Sequence, residues 1–468
     1  MRLADLISLG QDALLLGVVA ILIFLPVFLL IYKKYLKRKY ALTPAKCIWL
    51  GTTVCYLVVV LSVTIMQRSG FWMNQKIMPL FYSYKDAWVD FSVISWRNII
   101  LNICMFVPLG ILLPMGIRFF RSFWKVSLTG FLLTVFIEAS QLLLKRGMFE
   151  LDDLMDNTLG TMIGYGLYVL GVYLLQIFTK NSKKEKMWYQ VLLLQLPLVF
   201  TVGLFGTIFI SYHCQELGNV GGQYLVAYDT DKLHVSTTET FGNEQKTLPV
   251  YVSPSMSKEE TVQFAKTFFE NLGTTLDESQ NDFYENTAVF RSTGPFHLWV
   301  EYADGSYELT DFDTSFSEED IHLVSDATEK ELRTALLRYD IKVPEEAHFE
   351  SKGKGYYTFT VNQLLQNETM LDGEISFQYY DNGCVSHLNN TLLEYSQYKD
   401  FNVISEQEAY EMICEGKFRR NDSSNLNIEV RECNISYVTD SKGFYQPIYV
   451  FSCMINGKEA QIEIAAII

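Results

Sequence analysis

Acidic, basic and amide side chains interrupt apolar stretches of this chain, and ionisable groups in such places usually have a function. Glu138 lies three residues before Gln141, so the two side chains share one face of a helix. Seven further polar residues are predicted to converge on them: Arg97, Asn98, Asn102, Arg146, Asp153, Asp156 and Asn157. Guanidinium groups could bind a phosphate or carboxylate in bidentate fashion, and carboxylates could accept hydroxyl groups. These nine residues therefore form a candidate ligand-binding cluster.

Three interpretations of this polar cluster stay open at the level of sequence. A Glu138–Arg97 or Glu138–Arg146 pair with flanking amides could simply hold helices together. The same groups could instead bind a lipid headgroup or a glycan, or they could catalyse a reaction. No histidine precedes His213, which excludes histidine-based metal or nucleophile chemistry in this region, and no catalytic residue is predicted.

Neither a metal nor a cofactor is expected. Asp152, Asp153 and Asp156 could bind Ca²⁺ or Mg²⁺, but acidic residues are also typical of a helix start, where they complement the helix dipole. The six histidines lie without the spacing of metal ligands.

The elements that would position the cluster are apolar stretches of about 20 residues, the length that crosses a bilayer as a helix. They are Ala13–Tyr32, Cys47–Met66, Asn98–Ile117, Trp124–Leu144, Asn157–Phe178 and Tyr189–Ser211. The fold prediction for residues 1–211 is an all-α membrane bundle of six transmembrane helices.

Basic residues crowd three of the connections, at 33–46, 118–125 and 180–186. The positive-inside rule places these loops in the cytoplasm, so the N-terminus and residues 212–468 are predicted to be extracytoplasmic. The polar cluster then faces the outer leaflet. The aromatic-rich stretch 71–91 is expected at headgroup level, where it could roof the cluster or form an ordinary aromatic belt.

Three separated blocks of sequence carry a family resemblance. They read Arg97-Asn98-x-x-x-Asn102-x-x-x-Phe106-x-Pro108-Leu109-Gly110, then Glu138-x-x-Gln141 with Arg146, then Asp153-x-x-Asp156-Asn157-Thr158-Leu159-Gly160-x-x-x-Gly164. In this order they resemble the VanZ-like family, over about residues 45–178. Gly160 and Gly164 are predicted to allow close approach of a neighbouring helix.

The resemblance implies a bacterial cell-envelope protein of the cytoplasmic membrane. The family is named for a member associated with resistance to the glycopeptide teicoplanin, and it has no established biochemical activity. The expected function is a non-enzymatic factor that binds a lipid-linked or glycan ligand at the outer-leaflet cluster and is linked to glycopeptide tolerance. Two alternatives are an enzyme acting on an envelope lipid and a membrane-anchored scaffold or sensor acting through residues 212–468.

Charge separates the two parts of the chain. Residues 1–211 carry 20 Lys and Arg against 10 Asp and Glu, a net charge of +10. Because the whole chain has a net charge of −15, residues 212–468 carry a net charge of −25. So acidic a domain repels nucleic acid, which is excluded as a partner. The predicted partners are a membrane lipid or envelope glycan, with a protein partner for the second domain as a further candidate.

Residues 212–468 read as an α+β domain in which helices cover one face of an antiparallel sheet, as one domain or as two repeated units split near 325–400. Helices are predicted at Ser257–Leu272, at Glu329–Tyr339 and from Ser405 to Cys414, and strands at Ala288–Ser292, His297–Tyr302, Tyr307–Leu309, Tyr356–Val361, Glu374–Tyr380, Val385–Leu388, Ile428–Val438, Tyr445–Ile455 and Ala460–Ile464.

The stretch Ile404–Ile468 resembles PepSY-type modules, which implies an interaction domain. Cys433 and Cys453 either face each other across neighbouring strands or remain free thiols.

Overall fold

A computed structural model of the protein describes residues 43–66, 77–179, 187–316, 321–366, 368–419 and 425–467. The first predicted span, Ala13–Tyr32, lies outside these ranges. The chain divides into two compact units, Met1–Glu216 and Leu217–Ile468, called here the membrane unit and the sheet unit.

Five of the predicted spans fall on described residues, and all five are helices long and apolar enough to cross a membrane. The helices of the membrane unit are α1 (Pro44–Leu61), which continues as a π-helix (Ser62–Met66), α2 (Tyr82–Val89), α3 (Val93–Gly116), α4 (Phe123–Leu143), α5 (Leu151–Phe178), α6 (Met187–Leu194) and α7 (Leu196–Cys214). The protein is thus a multi-pass membrane protein.

The last span departs from the predicted continuous helix, because it consists of α6 and α7 with a break at Gln195. Pro197 lies in the first turn of α7, and proline lacks the N–H that would donate to the preceding turn. The Gln195 side-chain nitrogen donates to the Gly166 carbonyl on α5 at 3.0 Å, which ties the break to the bundle.

Helices α3 and α5 approach each other very closely. A Cβ atom built at Gly160 would lie 2.0 Å from the Ile103 carbonyl oxygen, and one at Gly164 would lie 2.0 Å from that of Val107. A side chain at Gly110 would meet the Thr161 carbonyl at 2.2 Å. The predicted role of Gly160 and Gly164 as a helix contact is therefore confirmed.

Two short strands lie at one end of the bundle. β1 (Ile77–Met78) pairs in parallel with β2 (Phe149–Glu150), so that Met78 is opposite Glu150. This ladder places the connection that precedes α3 beside the start of α5.

Within the described residues, the sheet unit forms one sheet of fourteen strands. The strands are β3 (Leu233–Thr237), β4 (Thr247–Val252), β5 (Asp282–Phe283), β6 (Thr287–Arg291), β7 (Phe296–Glu301), β8 (Tyr307–Asp311), β9 (His348–Gly353), β10 (Tyr356–Gln366), β11 (Thr369–Tyr379), β12 (Val385–Asn390), β13 (Leu393–Asn402), β14 (Leu426–Thr439), β15 (Phe444–Ile455) and β16 (Lys458–Ala465). The order is β3-β14-β15-β4-β13-β11-β12-β8-β7-β6-β5, with β10 on β11, β9 on β10 and β16 on β15.

The helices of the sheet unit are α8 (Lys258–Asn271), α9 (Asp313–Phe316), α10 (Glu329–Leu336) and α11 (Glu406–Cys414). Capping boxes begin three of them, through Ser257 with Glu260, Thr328 with Glu331, and Ser405 with Glu408. The three predicted helices are confirmed, although the second ends in a 3-10 turn from Leu337 to Tyr339.

Two large hydrophobic cores lie between this sheet and its helices, and a smaller third cluster consists of Tyr251, Met370, Leu393, Tyr395 and Tyr445. The first packs α8 and α10 on β6–β8 and β10–β12 and includes Phe269, Phe290 and Phe377, all fully buried. The second packs α11 on β14–β16 and includes Tyr449 and Phe451.

The prediction of a wholly antiparallel sheet is wrong at one edge, because β3 runs parallel to β14 and the sheet is mixed. Sequence reasoning also missed β3, β4, β5, β9 and β13. Of these, β9 has one large apolar residue and β4 contains Pro249, so neither has a strong alternating pattern.

All eight cysteines are free. Cys453 is opposite Val430 and Cys433 is opposite Phe451, so the two thiols do not face each other across the β14–β15 ladder.

Candidate functional site

The predicted cluster residues lie near the ends of three helices. Arg97 and Asn102 are in the first turns of α3, Glu138 is in the last turns of α4, and Asp153 and Asp156 are in the first turns of α5. Hydrogen bonds link several of these residues to one another and to their surroundings.

Two of the predicted residues cap the end of α1. The Gln141 side-chain nitrogen donates to the Thr64 carbonyl at 3.1 Å, and Arg146 Nη1 donates to the Ile65 carbonyl at 2.8 Å. The last carbonyls of a helix have no partner within the helix, and in a membrane such groups must be satisfied by other parts of the protein. Gln141 and Arg146 therefore stabilise the π-helical end of α1.

Glu138 is buried, with 1% of its surface exposed, and its Oε2 accepts the backbone N–H of Glu150 at 3.1 Å. This bond joins the end of α4 to β2. Arg97 is half-buried, whereas the neighbouring Asn98 is exposed on the surface of α3.

Amide and hydroxyl groups connect α3, α4 and α5. The Asn102 side chain donates to Asp153 Oδ1 at 2.6 Å, and the Asn157 side chain donates to Thr134 Oγ1 at 2.8 Å. The Thr134 hydroxyl in turn donates to the Asp153 carbonyl at 3.4 Å. Asp153 thus accepts bonds from two different helices.

Asp152 has a role that the sequence did not indicate. Its two carboxylate oxygens accept the backbone N–H groups of Phe81 at 2.5 Å and Ser83 at 2.7 Å. Phe81 is the N-cap of α2, is left-handed at φ 67° and makes no side-chain cap of its own. Asp152 lies in the first turn of α5, as expected of a residue that complements the dipole of its own helix, and it also caps a different helix.

A segment that we call the cover, residues 77–89, comprises β1 and α2 and makes further bonds to the acidic residues. The Tyr84 hydroxyl donates to Asp156 Oδ1 at 2.6 Å, and the Ser83 hydroxyl donates to Glu150 Oε2 at 3.2 Å. Burial, together with the Asp156 charge, raises the pKa of Tyr84, so its hydroxyl keeps the proton that it donates.

Aromatic contacts hold the cover on the helices. Tyr84 packs edge-on against Trp96 and stacks with Phe205, and Trp88 packs edge-on against Tyr212. These contacts involve α3 and α7. The described part of the aromatic-rich stretch therefore packs over the polar cluster.

The cluster concentrates carboxyl groups in a buried place. Glu138, Asp152, Asp153 and Asp156 are each at most 7% exposed. Carboxylates accept hydrogen bonds and attract cations, and each has about four lone-pair sites. Among the described residues, no three His, Cys, Asp or Glu side chains are placed to hold a metal ion.

This is the part of the chain that comparison with known proteins identifies. Residues 13–176 match the model of the VanZ/LLP1 family. The resemblance stated from the sequence is confirmed for this VanZ-like segment, which is about one third of the chain.

No protein of curated function is significantly similar to the chain. Among solved structures, an uncharacterized protein from Eubacterium rectale ATCC 33656 matches with a TM-score of 0.23 and 11% identity, over 50% of this chain and 87% of that one.

Several residues of the VanZ-like segment take part in the cluster without having been predicted, namely Ser83, Tyr84, Thr134 and Glu150. Thr134 could have been found, because it precedes Glu138 by four residues and Gln141 by seven and so shares their helix face. No local signal marks Ser83 or Tyr84, because their partners follow at least 67 residues later.

Proposed function

We propose that the protein is a non-enzymatic factor of the bacterial cell envelope that binds a lipid-linked or glycan ligand at the polar cluster. The VanZ-like match over residues 13–176 and the five apolar helices support an envelope membrane protein. The main support for a bound ligand is the set of four buried carboxyl groups beneath the cover, at the start of α5 and the end of α4. A buried group of this kind is costly in a membrane and usually has a function.

The hydrogen bonds of the polar cluster favour a ligand that presents hydroxyl groups over a ligand that presents an anionic group. Arg146 and Gln141 direct donors to the carbonyls of α1, whereas Asp156 accepts a bond from the Tyr84 hydroxyl. A carboxylate that accepts one bond keeps further lone pairs for hydroxyl donors. The sugar portion of a lipid-linked glycan supplies such donors.

Lipids that co-purify with the detergent-extracted protein test this proposal by mass spectrometry. Asp156→Asn and Arg97→Gln should lose the bound lipid or glycan and any glycopeptide tolerance, while their melting temperatures stay within a few degrees of the wild type. Arg118→Gln is the matched control, because Arg118 is exposed beyond the opposite end of α3. A stable Asp156→Asn protein that keeps the same co-purifying lipids or glycans and full glycopeptide tolerance would contradict the proposal.

The scaffold or sensor function is the second candidate, and the capping bonds of Gln141, Arg146 and Asp152 favour it. In that case the polar groups serve the bundle, and the sheet unit binds the partner. Arg97→Gln would then lower the melting temperature and the abundance without changing any co-purifying lipid, as expected when a buried polar network is broken.

The proposed location is the cytoplasmic membrane, with the sheet unit outside. In a cysteine-free background, a single cysteine at Glu459 should react with an impermeant maleimide in intact cells, and one at Lys183 should react only after lysis. The opposite labelling pattern would reverse the orientation and place the polar cluster at the inner leaflet.

A further inference from the structure

The sheet unit has a groove on the face of β6, β7, β8 and β12 that does not pack against the first core. Alternate residues of a strand point to opposite faces, and Ala288, Phe290 and Leu298 belong to that core. Their neighbours form the other face, where the register puts Val289 opposite Trp299, Trp299 opposite Glu308 and Glu308 opposite Asn389.

The groove has a volume of about 480 Å³. Its lining includes Tyr284, Arg291, Trp299, Glu301, Glu308 and Asn389. This volume falls within the range of roughly 300–1,000 Å³ that small-molecule sites occupy.

The charges of the groove are unequal. Arg291 Nη1 lies 2.8 Å from Asp282 Oδ2, so an ion pair already compensates the guanidinium charge. Glu301 accepts the Thr287 hydroxyl at 2.6 Å, which is a neutral donor. Glu301 and Glu308 are both exposed, and they leave the groove with an excess of negative charge beside an indole ring.

We propose that this groove binds a ligand through an ammonium group that lies on Trp299 between Glu301 and Glu308. Tryptophan is the strongest aromatic partner for a cation, and nearby carboxylates add Coulombic attraction to the same charge. Asn389 and Tyr284 supply polar groups at the sides that can orient the remainder of the ligand. This site is separate from the polar cluster and does not depend on the function proposed for it.

Two pairs of probes isolate the charge, measured by calorimetric titration of the full chain in detergent. Choline is compared with 3,3-dimethylbutan-1-ol, which has the same shape without the charge. Nα-acetyl-lysine amide is compared with Nα-acetyl-norleucine amide, so the pairs distinguish a small quaternary amine from a peptide-borne primary amine. At least one cation should bind about tenfold more tightly than its neutral analogue, with binding weakened by salt.

Variants locate that binding. Glu308→Gln and Trp299→Phe should each weaken the cation about threefold to tenfold, and Glu459→Gln, which removes an exposed carboxylate from β16, should leave it unchanged. Because Glu308 is exposed, its substitution should not disturb folding, and the melting temperature checks this. Equal binding of the charged and neutral probes, absence of binding by both cations, or cation binding that Glu308→Gln and Glu459→Gln weaken equally would each overturn the proposal.

Discussion

Different kinds of contact stabilise the interior of the membrane unit and the interior of the sheet unit. In the membrane unit, α3 and α5 meet backbone to backbone at Gly110, Gly160 and Gly164, and polar side chains satisfy helix ends. In the sheet unit, the cores consist of fully buried large side chains such as Phe377 and Phe451. Lipid chains are as apolar as leucine, so burying apolar area between membrane helices gains little, and close packing and hydrogen bonds contribute instead.

The two units also differ in how many charged side chains they bury. The membrane unit buries Glu138, Asp152 and Asp156, each at most 2% exposed. The sheet unit buries two carboxylates, Asp311 and Asp440, at 4% and 6% exposed, and its ion pairs such as Lys246–Glu406 lie at the surface. Polar contacts should therefore matter more to the membrane unit than to the sheet unit.

The largest expected effect is the loss of a core aromatic in the sheet unit. Phe377 is fully buried against Tyr357 and Phe359. Phe377→Ala should lower the free energy of unfolding by about 3–5 kcal/mol, measured by urea unfolding followed by pulse proteolysis. Tyr356→Ala is the control, because Tyr356 is 40% exposed, and it should cost less than about 0.5 kcal/mol. Equal losses of unfolding free energy in the two variants would show that buried aromatic side chains do not stabilise this unit more than exposed ones do.

Adding a single methyl group to α5 tests whether close helix packing stabilises the membrane unit. Gly164→Ala places a Cβ 2.0 Å from the Val107 carbonyl oxygen, so the helices must separate at a cost of about 1–3 kcal/mol. Gly171→Ala on the same helix has no atom within 4 Å of the new methyl group and should stabilise α5 by about 0.5–1 kcal/mol. Thermal unfolding in detergent measures both, and a shift of the same sign for both variants would argue against close packing as the source of stability.

Removal of the cap on α2 should have a smaller effect. Asp152→Ala takes the acceptor from the Phe81 and Ser83 N–H groups, which should cost about 0.5–2 kcal/mol, and Asp152→Asn should recover part of this because it keeps one carbonyl oxygen. Amide hydrogen exchange at Phe81 and Ser83 should accelerate in the order wild type, Asn, Ala. Unchanged exchange in the Ala variant would mean that the aromatic contacts alone hold the cover.

The smallest effect is expected from a surface ion pair of the sheet unit. Lys246 donates a hydrogen bond to the Glu406 carboxylate at 2.8 Å, and this bond lowers the pKa of Glu406. A carboxylate whose pKa is lower in the folded state stabilises the protein above its unfolded pKa, about 4.3, and loses that contribution as the pH falls through the folded pKa. Lys246→Gln should cost less than about 1 kcal/mol at pH 7, and this difference should shrink as the pH falls below the unfolded pKa of about 4.3. A larger loss would show that polar contacts matter equally in both units.

Much of the architecture follows from local sequence patterns. Runs of about 20 apolar residues indicate the five described spans, and the three-residue spacing of Ser257 with Glu260 and of Ser405 with Glu408 indicates two helix starts. The VanZ-like residues were also recognisable from their spacing. These features depend on residues within one or two turns of each other, so one sequence is enough to find them.

Pairing between distant segments was decided only by the tertiary structure. Asp152 caps α2 from 71 residues away, β3 joins β14 in parallel across roughly 190 residues, and the groove arises because Trp299 and Glu308 meet Asn389 of a later strand. Sequence pattern specifies which face of a strand or helix is apolar, but not which other face it meets. That choice depends on how well whole surfaces pack and on the entropy of closing the loops between them, and neither is encoded in any short stretch of sequence.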